Sequence, residues 1–443
     1  MRPEDLRWLR EVFPPPLQEG ITGFRLGSSG HLCLSCKGRG FCGKPRCPLL
    51  LRAEALVRMG RELSPHLRGS SPPSVFVGRV GYPKVYVGPM VPPFPGNTEL
   101  LDTPELWIER SVEEIVNFRS SLVRGRKRER VEAAATGQGV VGILQEMAMG
   151  ERPVEAEMLL SRKPSRLLTL GEEIPPMGPS APLLKIKVTE VRTDRRMEKL
   201  FYDFDLRAQE AVVELYRQGV PVSRIQRAFS MGVFGLRGLR RLVPTRWSIT
   251  AVDSILSEEV VREIKGYEPL EEYRVYHLEH HSNLFLAILM PERWSFDWLE
   301  AWFPRTTWNP EGTKPAVMGD GEPYGGRRDY PEIGGCYYAC RLAVAEALAR
   351  EKKQASALVL REIHPGFLLP LGVWFVRESV RRMMRETPRT FEGLGEALAY
   401  ARTKLTVPLE EWIRHSYLLQ RCLFQRKLTD FRGGTGWKSA KSG

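Results

Sequence analysis

The stretch Arg274-Val-Tyr-His-Leu-Glu-His-His-Ser-Asn-Leu-Phe-Leu-Ala-Ile-Leu-Met290 decides the fold class. Leu284 to Met290 is an unbroken apolar run whose length suits a buried strand. Arg274 to Leu278 reads as another strand, and the chain turns between the two at Ser282-Asn283. Two successive strands joined by a turn break any regular βα beat, which points away from a doubly wound sheet.

The same mixture continues outward. Towards the C-terminus, Leu358–Ile363 and Val373–Val376 read as strands, Tyr337–Lys353 and Leu409–Phe424 as helices. Towards the N-terminus, Leu184–Val191 alternates apolar and polar residues as a half-buried strand does. Asp205–Gln218 is an amphipathic helix stopped by Gly219 and Pro221. Val75-Phe-Val-Gly-Arg-Val, a Gly-Tyr-Pro turn and Lys84-Val-Tyr-Val-Gly form a β-hairpin. Leu49–Leu63 and Leu106–Arg119 are helical. Trp294, Trp298 and Trp302 recur every four residues, which predicts a helical stripe facing the core. The expected class is α+β: a mixed-sheet core with several helices, a small N-terminal metal-binding lobe and a flexible C-terminal tail. The expected divisions are 1–70, a core over 71–424 with an internal boundary near the Pro/Gly-rich segment 172–182, and a tail over 425–443.

The chain has 443 residues, with 66 Lys and Arg against 53 Asp and Glu, a formal net charge of +13. Such a surplus favours a polyanionic partner, nucleic acid foremost. No apolar run approaches the ~18 residues that span a bilayer, and Met1–Arg10 has no apolar signal region. The expected compartment is the cytoplasm, with no membrane partner.

Cys33, Cys36, Cys42 and Cys47 have the spacing C-x2-C-x5-C-x4-C. Four thiolates so close in sequence can close a tetrahedral shell around one structural Zn2+. An iron–sulfur cluster is the alternative, since Pro48 follows the last cysteine. Lys37, Arg39, Lys44 and Arg46 offset the thiolate charge and can face phosphates. Cys336 and Cys340, four apart on a helix, read as core residues.

Near the C-terminus stands Gln425-Arg-Lys-Leu428-Thr-Asp-Phe431. In a short helical turn Leu428 and Phe431 form one apolar plug, and the Gln425 amide addresses a separate polar site. The pattern is similar to the motif by which replication and repair proteins bind the sliding clamp, PCNA. Arg432 stands where a second aromatic is usual.

Several basic runs suit DNA phosphates: Arg124, Arg126, Lys127 and Arg128, and further along Arg240, Arg241 and Arg246. Trp247 beside Arg246 can stack on unpaired bases. Asp253, Asp320, Glu322 and Asp329 are the carboxylates that could gather Mg2+ or Mn2+ against a phosphodiester. Their spacing is diagnostic of no nuclease. His277-Leu-Glu-His280-His281 reads as a strand end running into a surface loop. Gly137-Gln-Gly139-Val-Val-Gly142 matches G-x-G-x-x-G, but Val131–Ala135 before it reads as the end of a charged helix and not as a strand.

Taken together, the cysteine cluster, Ser74-Val-Phe-Val-Gly-Arg-Val-Gly-Tyr-Pro83, Arg119-Ser-Ser-Leu-Val-Arg-Gly125, Phe201-Tyr-Asp-Phe-Asp205, Arg240-Arg-Leu-Val-Pro-Thr-Arg-Trp-Ser-Ile-Thr-Ala-Val-Asp253 and the tail motif resemble the archaeal Nre family of DNA repair proteins. The resemblance covers nearly the whole chain. It implies a DNA repair role exercised through the sliding clamp, with the four cysteines as zinc ligands and Gln425, Leu428 and Phe431 as clamp contacts. It supplies no catalytic residues. Two further readings stand beside it: a metal-dependent DNA-processing hydrolase in the core, a nuclease or an adduct-removing enzyme, and a non-catalytic adaptor between the clamp and another repair enzyme.

Overall fold

The chain builds two six-stranded sheets whose side-chain patterns differ, because one is covered on a single face and the other on both. The computed structural model describes residues 23–26, 46–58, 63–165, 167–170 and 177–425. The first part runs β1 (Gly23–Leu26), α1 (Pro48–Arg58), β2 (His66–Ser71), β3 (Val75–Val77), β4 (Lys84–Val91), α2 (Val112–Ser121), β5 (Val123–Arg130), α3 (Ala133–Thr136), α4 (Gly139–Ala148), β6 (Val154–Leu160), β7 (Leu167–Leu170) and β8 (Ser180–Val188). β1 and β7 form a parallel pair. The other strands form the first sheet, in the order β2-β6-β8-β5-β4-β3.

Alternation is clean in this sheet. Val154, Ala156, Met158 and Leu160 of β6 face the core, and so do Val85 and Val87 of β4 and Val123 of β5. The residues between them face outward, as expected when one side of a sheet stays open. β4 and β5 cross very closely: a Cβ at Gly88 would lie 1.6 Å from the Gly125 carbonyl oxygen, so only glycine fits there. β8 pairs with both β5 and β6.

Helices α5 (Arg195–Tyr202), α6 (Ala208–Arg217), α7 (Val222–Ser230) and α8 (Thr245–Ile264) follow. Then come β9 (Tyr273–His280), β10 (Asn283–Met290), β11 (Ser295–Trp302), β12 (Ala316–Glu322), α9 (Cys336–Glu351), β13 (Ser356–Ile363), α10 (Val373–Met383), β14 (Arg389–Phe391), α11 (Leu394–Arg402), α12 (Leu409–His415) and α13 (Tyr417–Phe424). The second sheet has the order β12-β11-β13-β10-β9-β14, and only β11 and β13 run parallel. Every residue of β10 and β13 is buried. Phe285, Ala287 and Leu289 enter the main core with Trp294, Phe296 and Trp298. Leu286, Ile288 and Met290 enter a second core under α11–α13, with Leu398, Trp412 and Leu418. A continuous apolar run is what a strand covered on both faces requires. The main core also holds the inner face of the first sheet, so it spans both sheets.

The α+β class, the β3–β4 hairpin and strands β9, β10 and β13 match the sequence reading. Four assignments change. Val373–Val376 opens helix α10; four apolar residues in a row do not distinguish a helix from a strand. The tryptophans at 294, 298 and 302 run into strand β11; an interval of four is even, so it marks one face of a strand as well as of a helix. The charged run before Val131 is strand β5; the helix propensity of arginine and lysine is a weak preference that pairing with β4 and β8 overrides. Leu409–Phe424 breaks into α12 and α13 at Ser416, which caps α13 by accepting from the Leu419 N–H at 3.0 Å. Among the described residues no helix is long and apolar enough to cross a membrane.

Candidate nucleic-acid interface

β5 reads Val-Arg-Gly-Arg-Lys-Arg-Glu-Arg. A strand sends alternate side chains to opposite sides, so Arg124, Arg126 and Arg128 share one face. Register places Tyr86 of β4 opposite Arg128. The Arg126 and Arg128 guanidiniums lie 5.5 and 5.6 Å from the Tyr86 ring centre, so two cations share this ring. Arg124 lies 5.6 Å from the Phe76 ring of β3. Arg128 also reaches the hairpin turn: a Cβ at Gly81 would lie 2.8 Å from its Nη2. Next to Gly81, Tyr82 packs on Trp247 at 5.3 Å, in the first turn of α8.

Charge in this band is uncompensated. Lys127 points to the other side and pairs with Glu129 at 3.1 Å; Arg130 pairs with Glu132 at 3.2 Å. Among the described residues no carboxylate pairs with Arg124, Arg126 or Arg128. The Nε atoms of Arg124 and Arg126 are buried without a hydrogen-bond partner. Among the described residues Arg124 donates only to the Met177 sulfur and the Gly178 carbonyl. Burial, then the repulsion of Arg126 and Arg119, pulls Arg124 down to about 10, where it remains a cation at neutral pH. Buried donors almost always find an acceptor, so these two call for one.

The second basic set divides. Arg240 is only 4% exposed. It donates to the carbonyls of Gly235 and Phe201 at 2.8 and 2.7 Å and lies over the rings of Phe201 and Phe204. It serves packing and is withdrawn from the surface set. Arg241 is half-buried and bonded to the Gly238 and Arg240 carbonyls. Arg246 is exposed beside Trp247.

The four candidate catalytic carboxylates do not assemble. Asp253 is fully buried and accepts two bonds from Arg377 Nη1, at 2.8 and 3.1 Å, and one from Gln226. Glu322 is buried against Arg341 at 2.6 Å and accepts from the Trp294 indole. Asp320 pairs with Arg327 at 3.1 Å and accepts from the Ile333 N–H. Asp329 is exposed, and its carbonyl accepts from Arg327. Three of the four thus belong to separate ion pairs, and among the described residues no three His, Cys, Asp or Glu side chains converge to hold a metal. His280 is buried and not on a surface loop: it contacts Ser379 Oγ and the Ile108 carbonyl, and burial pushes it down to about 4.

Of the four candidate metal ligands, Cys47 alone lies among the described residues, immediately before α1; Cys33, Cys36 and Cys42 lie outside them. Gln425 ends α13 and is exposed, while Leu428 and Phe431 lie outside the described residues.

The N-terminal family model of archaeal Nre matches residues 41–309, and the C-terminal model matches 322–431. The chain belongs to the archaeal Nre family. DNA repair protein NreB of Archaeoglobus fulgidus is 44% identical over 400 residues, covering 90% of this chain and 99% of its own length. DNA repair protein NreA of the same organism is 40% identical over 381 residues, covering 86% and 95%. DNA repair protein NreA of Haloferax volcanii is 34% identical over 361 residues, covering 79% and 86%. No solved structure matches significantly. The two Nre regions interleave in space: the first supplies β9, β10 and β11, and the second inserts β13 between β10 and β11.

What sequence reading missed here is the aromatic partners of the β5 arginines. Tyr86 was legible, since the hairpin assignment fixes its alternation. The Tyr82–Trp247 contact joins residues far apart in the chain, and no local signal announces it.

Proposed function

We propose that this Nre protein is a DNA repair factor that contacts DNA through the outer face of β5 and docks on the sliding clamp through Gln425, Leu428 and Phe431. The observation that carries the DNA contact is the trio Arg124, Arg126 and Arg128, aligned on one face with no carboxylate partner among the described residues. Such a row supplies sequence-independent affinity for phosphates. The names of the relatives, all DNA repair proteins, fit this reading.

The tail assignment is supported by Gln425, which is exposed and leaves α13 with extended backbone angles of −84° and 116°. The motif thus starts beyond the helix. Cys33, Cys36, Cys42 and Cys47 would hold a zinc ion; four thiolates leave no open position, so the metal would act as scaffold.

The test is the salt dependence of DNA affinity, read by fluorescence anisotropy. Replacing Arg124, Arg126 and Arg128 together with Gln removes three phosphate contacts and should lower the log–log salt slope by about 2 to 3. An unchanged slope excludes this face. Failure to bind DNA at any salt concentration favours the adaptor reading.

A further inference from the structure

Rings adjoin the β5 charges: Tyr86 opposite Arg128, and Tyr82 with Trp247 beside the turn that Arg128 reaches. Tyr86 is 40% exposed, Tyr82 50% and Trp247 46%. Keeping large rings partly in water forgoes part of the stabilisation that burying a large apolar side chain brings. The arginines run along the strand at about 6.7 Å intervals, two residues apart, toward the turn that holds Tyr82.

Width decides between double- and single-stranded partners. Strands lie about 4.8 Å apart, so the six-stranded sheet is roughly 24 Å across, twice the ~12 Å major groove. β5 lies inside the sheet, flanked by β4 and β8, and cannot enter a groove. A duplex resting on this face would offer its phosphates only, with its base faces already stacked on one another. Unpaired bases have free faces that Tyr86 and the Tyr82–Trp247 pair can cover, as stacking platforms do. We infer that this surface takes single-stranded DNA, with Arg124, Arg126 and Arg128 on the phosphates and Tyr86, Tyr82 and Trp247 against the bases. The inference rests on the reading of β5 as the DNA surface and adds the state of the DNA.

The experiment uses the full chain and four labelled 15-mers at one salt concentration: oligo(dT), a duplex, an abasic deoxyribose-phosphate strand and oligo(U). Oligo(dT) should bind at least about tenfold tighter than the duplex or the abasic strand. Trp247→Leu and Tyr82→Leu should each lose about tenfold for oligo(dT) and leave the abasic strand unchanged, since one stacked base is worth about a factor of ten. Intrinsic fluorescence should be quenched by oligo(dT) in the parent protein and less so in Trp247→Leu. Equal affinity for oligo(dT), duplex and abasic strand overturns the inference but leaves the phosphate contact standing. No affinity for any probe defeats both. Tighter binding of oligo(U) than of oligo(dT) assigns the surface to RNA and overturns the inference. The comparison among probes needs no variant, so a variant that fails to fold does not obscure the outcome.

Discussion

Asp297 lies on β11, 1% exposed, and joins the second sheet to the last helix. Its Oδ2 accepts from the Ser416 hydroxyl at 2.7 Å and the Leu418 N–H at 2.8 Å, while its Oδ1 is buried without a partner. Burial raises its carboxyl to about 6, outweighing the lowering by Leu418, Ser416 and Arg421. A carboxyl with a raised folded-state pKa contributes stability that is complete below about pH 4 and is lost as pH rises through about 6. The displacement from 3.8 corresponds to about 3 kcal/mol. Asn cannot ionise, so Asp297→Asn should gain up to that amount relative to the parent between pH 4 and pH 7, read by urea unfolding at each pH. A constant difference across that range contradicts the assignment. Arg377 makes the opposite case. It is fully buried, with Asp253 on Nη1 and Glu378 on Nε at 3.1 Å. Arg377→Leu strands Asp253 in the core, while Glu378 keeps Arg381 at 2.9 Å, and should cost about 3–5 kcal/mol in the same assay. A loss under 1 kcal/mol would mean that the network relaxes around the gap. Sequence reading selected Asp253 as a catalytic candidate because burial by an ion pair leaves no local signature.

At the scale of elements, what is legible depends on whether one face or two are covered. β8 declares itself by alternation, and β10 by an unbroken apolar run of the right length. α10 did not, because its first four residues, Val373–Val376, are all apolar and all but Val373 are buried. β5 was recognised as basic but not as a strand. Its inward residues, Val123 and Gly125, are too few to dominate the charges between them. The cysteine cluster is legible as chemistry, and α1 connects it to the fold. Pro48 starts α1 immediately after Cys47, whose carbonyl accepts the Leu51 N–H at 3.1 Å. The last proposed ligand is therefore part of the first helical turn. Cys36→Ser should release the metal and loosen α1, which contacts α2 and β7. Native mass spectrometry and hydrogen exchange over residues 48–58 read the two effects; one retained zinc per chain disproves the ligand set.

For the whole molecule, local pairing such as the β3–β4 hairpin was readable and long-range pairing was not. Insertion of β13 between β10 and β11 brings together residues some sixty positions apart, and one core runs through both sheets. The C-terminal third is thus built into the body of the protein up to α13. That helix is anchored by Leu418 and Leu419, both buried, and by the Ser416–Asp297 contact upstream. Elsewhere on the helix Tyr417, Leu423 and Phe424 are exposed, and so is Gln425, where the helix has ended. Among the described residues, the anchoring contacts of α13 therefore precede residue 425. Deleting residues 425–443 should leave the melting temperature within about 2 °C, since surface changes away from buried contacts stay within ~0.5 kcal/mol. It should abolish binding to an immobilised sliding clamp, and Phe431→Ala alone should weaken that binding at least about tenfold by removing half of the apolar plug. A truncated chain that holds the clamp as tightly as the full chain would move the docking site off the tail. The exposed ring of Phe424, 73% open and directly ahead of the motif, would then be the next residue to replace.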